Sequence, residues 1–237
     1  MEVNLISCTQ DPIETCMRCA AVCYDSKPSF KVLKACIESG HTSVLEHANY
    51  TFEIKGVSRA LLAQLTRHRI ASYSVRSQRY CEEPFSEGNE PNFVVPDTVT
   101  SEEYDSYKEA MKRSFSTYEY LIAAGLPKED ARMVLPNACY TTIMMTINLR
   151  SLGNFMSERL CQRAQWEIRE LAMKMKREIL STMTDEEADF FDLHWLVPKC
   201  RQHKLPMCEE RNCCGYSPSI NSYDLNKEKR QNERRNK

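Results

Sequence analysis

The run RHRIASYSVRSQRY at residues 67–80 concentrates more potential chemistry than any other part of the chain. It contains Arg67, His68, Arg69, Arg76 and Arg79; Lys55 and Arg59 lie just upstream, and no acidic residue occurs between Ile54 and Cys81. Guanidinium forks suit bidentate contact with phosphate, and Ser72, Ser74, Ser77 and Gln78 add neutral donors that would complete a phosphate or pyrimidine site. The same residues could form a solvated face paired with acids elsewhere, and composition leaves both readings open. A second run, NLRSLGNFMSERLCQR at 148–163, places Asn154 one helical turn from Arg150 and sets Arg159 on an apolar line with Phe155 and Met156. An arginine there either snorkels toward water or serves a site. Arg132, beside Met133-Val134-Leu135-Pro136, presents the same choice.

Histidines and cysteines compete for attention. His41 and His47 are six residues apart, a spacing that does not put both on one helical face, so a metal pair on one helix is not expected. Cys16, Cys19 and Cys23 form one helical stripe and read as small apolar core residues. Cys200, His203, Cys208, Cys213 and Cys214 offer enough soft ligands for a structural zinc, yet the paired C-x-x-C knuckles that specify such a site are missing.

Composition bounds the function. Of 237 residues only six are glycine, at 40, 56, 88, 125, 153 and 215. That spacing excludes both G-x-G-x-x-G and G-x-x-x-x-G-K-[ST], so any phosphate must be held by side chains rather than by a glycine-rich backbone cradle. The net charge of -1 supplies no global attraction to nucleic acid or membrane. No apolar run is long enough to span a bilayer, and the start lacks a basic segment leading into an apolar core, so a cytoplasmic protein with its twelve cysteines reduced is expected.

The elements that must position these residues follow from periodicity. Residues 2–8 read as a strand, and Asp11-Pro12 as the cap and first position of a helix to about Tyr24. A helix after Pro28 ends at Gly40. Tyr50, Phe52 and Ile54 alternate with polar residues in a half-buried strand, and Ser58 caps a helix leading into Arg67. Residues 83–100 read as loop. Long helical patterns cover about 101–125 and 151–182, with a short helix at 127–134 and a β-like run from Tyr140 to Leu149 between them. The expectation is an α+β, helix-rich single domain over 1–222 with a central, mainly antiparallel sheet, followed by a basic, solvated tail at 223–237.

Arg67-His68-Arg69, seven residues, then Ser77 resembles the RHR-x7-S signature of the flavin-dependent thymidylate synthases, the ThyX family. His41-Thr-Ser-x-x-Glu46-His47, Phe52, Ala131-Arg132-x-x-Leu135-Pro136, Asn148-x-Arg150-Ser-Leu152-x-Asn154-Phe155, Arg159 and Ala164-Gln165-x-Glu167-Ile168 reinforce it, so the resemblance extends over about residues 3–200. It implies a homotetramer with active sites at subunit interfaces. It implies methylation of dUMP to dTMP, with methylenetetrahydrofolate as one-carbon donor, reduced FAD as hydride source and NADPH as reductant. By the same resemblance Ser43, Arg67, His68, Arg69, Asn148, Arg150 and Asn154 would contact FAD. Gln64, Arg67, Ser77, Gln78, Arg79, Arg132 and Arg159 would surround dUMP, with Arg159 catalytic. No metal and no nucleophilic cysteine is implied.

Two positions depart from the family pattern. Val75 stands where many relatives carry Glu, and Arg163 where histidine is frequent. The competing reading from another class is a zinc-stabilised nucleic-acid-binding module that uses the 67–79 arginines and the basic tail.

Overall fold

Alternation of apolar and polar residues decides the sheet. A computed structural model of the chain describes residues 1–87, 90–202 and 207–220. Its four-stranded antiparallel sheet has the order β1-β2-β6-β3, from β1 (Glu2–Cys8), β2 (Asn49–Ser58), β3 (Ser72–Val75) and β6 (Tyr140–Asn148). Along β6 every second residue is buried, including Ile143, Met145 and Ile147. In β2 the buried set Tyr50, Phe52 and Ile54 resumes at Val57, one residue out of step. The slip falls at Gly56, whose φ of 66° lies in the left-handed region that glycine adopts without a Cβ clash. Between the short strands β4 (Ser86–Glu87) and β5 (Glu90–Pro91) and the sheet residues there is little regular structure, in keeping with the loop expected at 83–100.

The helices are α1 (Pro12–Cys23), α2 (Phe30–Glu38), α3 (Arg59–Leu65), α4 (Ser101–Ala123), α5 (Lys128–Ala131), α6 (Leu149–Arg159), α7 (Trp166–Leu180) and α8 (Asp185–His194). The protein is α+β, as its periodicities require. Its contacts divide it into two compact units, Met1–Ile6 with Thr51–Thr146, and Ser7–Tyr50 with the chain from Ile147 onward. The first unit holds most of the sheet with α3, α4 and α5. Its aromatic core brings Phe93 and Phe115 together with Phe85, whose ring centroid lies 5.6 Å from that of Phe93. The second unit holds α1, α2 and α6–α8, with Leu33, Leu45, Leu152, Phe155, Leu171 and Phe191 fully or almost fully buried.

Several local expectations change. Asp11 holds the N-cap position of α1 and Pro12 the first helical position, as expected, but Asp11 sits at φ 46° and its side chain makes no capping bond; its carbonyl oxygen accepts the Thr15 N–H at 2.9 Å. The single helix expected over 151–182 is two. The break at 160–165 has a clear cause, because the Gln165 side chain accepts the Ile168 N–H at 3.1 Å and starts α7 afresh. Helix α8 adds to the expected elements, and Thr184 and Glu187 form a capping box at its start. The strand β3 is a further addition, inside the arginine-rich run. Its register, Tyr73 opposite Met145 and Val75 opposite Ile143, places Val75 as a sheet residue. The tail at 223–237 and His203 lie outside the described residues.

Candidate active site

Each unit assembles its own group of the expected site residues. In the first, Ser58 caps α3 by accepting the Leu61 N–H at 2.9 Å, and the helix delivers Gln64 to its last turn. The chain then turns through Arg67, His68 and Arg69 into β3. Tyr73 holds that turn: its hydroxyl lies 2.8 Å from the His68 carbonyl oxygen and 3.1 Å from that of Leu65, and donates to them. Burial pushes the Tyr73 phenol up to about 12, which keeps it a donor at any physiological pH. Arg67 and Arg69 are exposed and make no ion pair among the described residues.

After β3 the chain forms the loop carrying Ser77, Gln78 and Arg79. Ser77 braces its own loop: its hydroxyl accepts the Arg79 N–H at 3.2 Å and its carbonyl accepts the Cys81 N–H at 2.9 Å. Gln78 aims its amide at the buried Cys139 sulfur, 3.8 Å away. Arg79 reaches Glu129 on α5, Nε to Oε2 at 2.7 Å, while Arg132 Nε donates to the main-chain oxygen of the same residue at 3.1 Å. Two arginines expected to hold one phosphate therefore converge on Glu129. Both members of the Arg79–Glu129 pair are about half exposed, so an incoming dianion can displace the carboxylate at little cost.

The remaining arginines of the cluster are structural. Arg59 and Arg76 both face Glu83, at 3.4 and 3.7 Å. Burial pushes the Glu83 carboxyl up and the Arg59 guanidinium down, and the opposite charge of each partner counteracts the other's shift. Pairing with acids outside the run, part of the solvated-face reading, thus holds for Arg59, Arg76 and Arg79, although Glu83 itself is buried; Arg67, Arg69, Arg79 and Arg132 remain candidates for anion binding. Nothing in the run 67–80 signals Glu83 or Glu129, because both acids lie outside it.

In the second unit, Asn148 spends its side-chain oxygen on capping α6, accepting the Ser151 N–H at 2.8 Å. Arg150 pairs with Glu46 in the 3-10 turn Thr42–His47, the turn on which exposed Ser43 sits. Asn154 is exposed one turn along α6. Arg159 is the last residue of that helix, where the macrodipole favours a cation, and it lines a cavity of about 470 Å³ with Arg163, Lys199, Cys208 and Arg211. Arg163 is tied to Glu210 at 2.7 Å, so the departure at this position creates an ion pair rather than a replacement for histidine. His41 accepts or donates at Nδ1 to the Tyr24 hydroxyl, 2.8 Å away.

Helix α6 is seated on an indole. Trp195 donates Nε1–H to the Leu149 carbonyl oxygen at 3.0 Å, and a Cβ added to Gly153 would stand 2.4 Å from its ring. Gly153 lies inside the helical pattern of 151–182, and a glycine in such a pattern is a signal of close approach.

The zinc-supported alternative finds no support. Among the described residues no three His, Cys, Asp or Glu side chains form a metal-holding group, and His203 lies outside them. Cys200 accepts from the Ser217 hydroxyl at 3.3 Å, and Cys213 donates to the Ser217 carbonyl oxygen at 3.2 Å. No helix among the described residues is long and apolar enough to cross a membrane.

The sequence profile of a family described as "Thymidylate synthase complementing protein" matches residues 4–183. A flavin-dependent thymidylate synthase of Pyrococcus furiosus is 39% identical over 226 residues, covering 90% of this chain and 91% of that one. Its counterpart in Geobacter sulfurreducens is 44% identical over 191 residues, covering 75% and 81%. A crystal structure of the flavin-dependent thymidylate synthase ThyX from Helicobacter pylori, complexed with FAD and dUMP, superposes with a TM-score of 0.65 at 27% identity, covering 81% of this chain and 98% of that one. With the family profile spanning most of the chain, and relatives near 40% identity along almost their whole length, this chain belongs to the flavin-dependent thymidylate synthase family.

Proposed function

We propose that this chain methylates dUMP to dTMP, taking the one-carbon unit from methylenetetrahydrofolate, with FAD as cofactor and NADPH as its reductant. One observation carries the reading: of the arginines in a run free of acids, Arg59 and Arg76 are consumed by the buried Glu83, while Arg67 and Arg69 stay exposed without an acidic partner among the described residues. The donor set fits a flavin dinucleotide, since a pyrophosphate in a chain with six glycines needs side-chain cations. Arg67, His68 and Arg69 would contact FAD, as would Ser43, Asn148, Arg150 and Asn154, in active sites completed by neighbouring subunits; FAD when bound supplies the hydride.

For the nucleotide, Ser77, Gln78, Arg79 and Arg132 neutralise and orient the phosphate dianion, with Gln64 and Arg67 beside them. Phosphate takes the place of the Glu129 carboxylate at Arg79, exchanging a screened ion pair for a doubly charged ligand. Arg159 stabilises negative charge that develops at N3 and O4 as the uracil becomes electron-rich at C5, the preorganised-donor role. No cysteine is used as nucleophile.

The working form is a homotetramer in the cytoplasm, its active sites completed by neighbouring subunits. Ile70, Tyr80 and Met133, all 67% exposed or more, flank the candidate nucleotide residues of the first unit and would be covered by another copy. Free thiols at the described cysteines suit a reducing compartment.

The test is an absorption spectrum of the purified protein with added FAD, followed by NADPH oxidation with dUMP and methylenetetrahydrofolate. A protein that binds no flavin and yields no dTMP refutes the proposal. Arg159→Ala should abolish turnover while leaving flavin bound, and full activity in that variant refutes the role given to Arg159.

A further inference from the structure

The loop that bears Ser77, Gln78 and Arg79 is closed at its base by contacts that none of those residues makes. Arg76 Nη2 donates to the Glu82 carbonyl oxygen at 3.0 Å, tying the two ends together. Arg59, on the first turn of α3, donates Nη2–H to the Arg76 carbonyl oxygen at 2.9 Å. Between the two guanidiniums lies Glu83, only 1% exposed, with Oε1 3.4 Å from Arg59 and Oε2 3.7 Å from Arg76. Two cations this close together repel each other unless a carboxylate stands between them, and the acid-free stretch from Ile54 to Cys81 offers none of its own.

We propose that Glu83 is a positioning residue for the nucleotide phosphate. By holding Arg59 and Arg76 side by side it fixes the base of the loop, and with it the spacing of Ser77, Gln78 and Arg79. It also keeps two of the cluster's arginines from competing for the phosphate, so that the loop presents one cation rather than three. The proposal rests on the reading that these three loop residues hold the phosphate of dUMP.

The experiment uses the flavin-loaded enzyme with Glu83→Gln, which keeps shape and removes charge, and compares dUMP with deoxyuridine, which has no phosphate to read. Binding of dUMP should weaken by about tenfold or more, seen in KM rather than kcat, while deoxyuridine affinity and flavin content stay within about twofold. Glu83→Asp should recover part of the loss. Equal weakening of dUMP and deoxyuridine, or unchanged dUMP binding, overturns the role. Should Glu83→Gln fail to fold, the charge-balanced Glu83→Gln/Arg76→Gln pair serves: it should still lose discrimination between dUMP and deoxyuridine, and wild-type discrimination overturns the proposal. Arg79→Ala run in parallel separates the two levels. If it leaves dUMP binding unchanged, the phosphate reading fails; if it weakens dUMP while Glu83→Gln does not, only the role of Glu83 fails.

Discussion

Gly153→Ala distinguishes local propensity from tertiary packing by the sign of its effect. On an exposed helix, replacing glycine by alanine stabilises by about 1 kcal/mol. Here the new methyl would stand 2.4, 2.5 and 2.6 Å from Cε2, Nε1 and Cζ2 of Trp195. Ordinary carbon contacts begin at about 3.5 Å, so the indole must retreat by roughly 1 Å. It has little freedom to do so, because Nε1–H is committed to the Leu149 carbonyl oxygen at 3.0 Å, and Gln202 bridges the carbonyl oxygens of Gly153 and Trp195 at 3.1 and 2.9 Å. Overpacking costs about 1–3 kcal/mol and a weakened hydrogen bond about 1 more. Net of the propensity gain, the variant should lose about 1–3 kcal/mol, and at roughly 2–4 °C per kcal/mol its melting temperature should fall by several degrees. Thermal unfolding followed by circular dichroism measures this. In a Trp195→Ala background, which removes the clashing ring, the same substitution should be neutral or mildly stabilising. A Gly153→Ala protein as stable as its parent would refute the reasoning.

Other outcomes follow from the same contacts. Tyr73→Phe removes the hydroxyl that holds the turn at His68, and should lower flavin affinity several-fold while costing about 1 kcal/mol of stability; equal flavin affinity in the variant counts against the clamp. Glu129→Gln frees Arg79 from its competing carboxylate and should tighten dUMP binding modestly, most at low salt; weaker binding would show that Glu129 assists the nucleotide instead. Burial pushes the Cys16 and Cys139 thiols up to about 12, so at pH 8 about 1 in 10,000 of each is thiolate. A thiol-alkylating reagent should therefore modify exposed Cys8, Cys23 and Cys214 and spare those two until the protein unfolds. Because the unfolded chain ionises these thiols near 9 and the folded one near 12, the folded state is fully favoured below about pH 9, and stability declines as pH rises from there to 12. A stability curve flat over that range contradicts the assignment.

Much of the fold is legible in the chain because its cause is local. The alternation of Tyr50, Phe52 and Ile54, the cap at Ser58, and the run Tyr140–Asn148 each state their own structure, and the elements appear within a few residues of expectation. The errors arise where two signals overlap. A continuous helical periodicity hid the restart at Gln165, and the arginines of 67–80 drew attention from the strand Ser72–Val75 that lies among them.

The sequence by itself marked the family through the spacing of RHR-x7-S, and its six glycines excluded a glycine-rich phosphate cradle, while its dense arginine run left anion binding and a solvated face both open. Only the tertiary structure decided which arginines are available. Glu83 and Glu129 come from outside the acid-free stretch and sort its cations, Arg59 and Arg76 into a buried frame, Arg79 into an exchangeable pair, and Arg67 and Arg69 to solvent. The reason is physical. A periodicity records which face of an element is buried, whereas the partner of a charge is fixed by how distant segments pack.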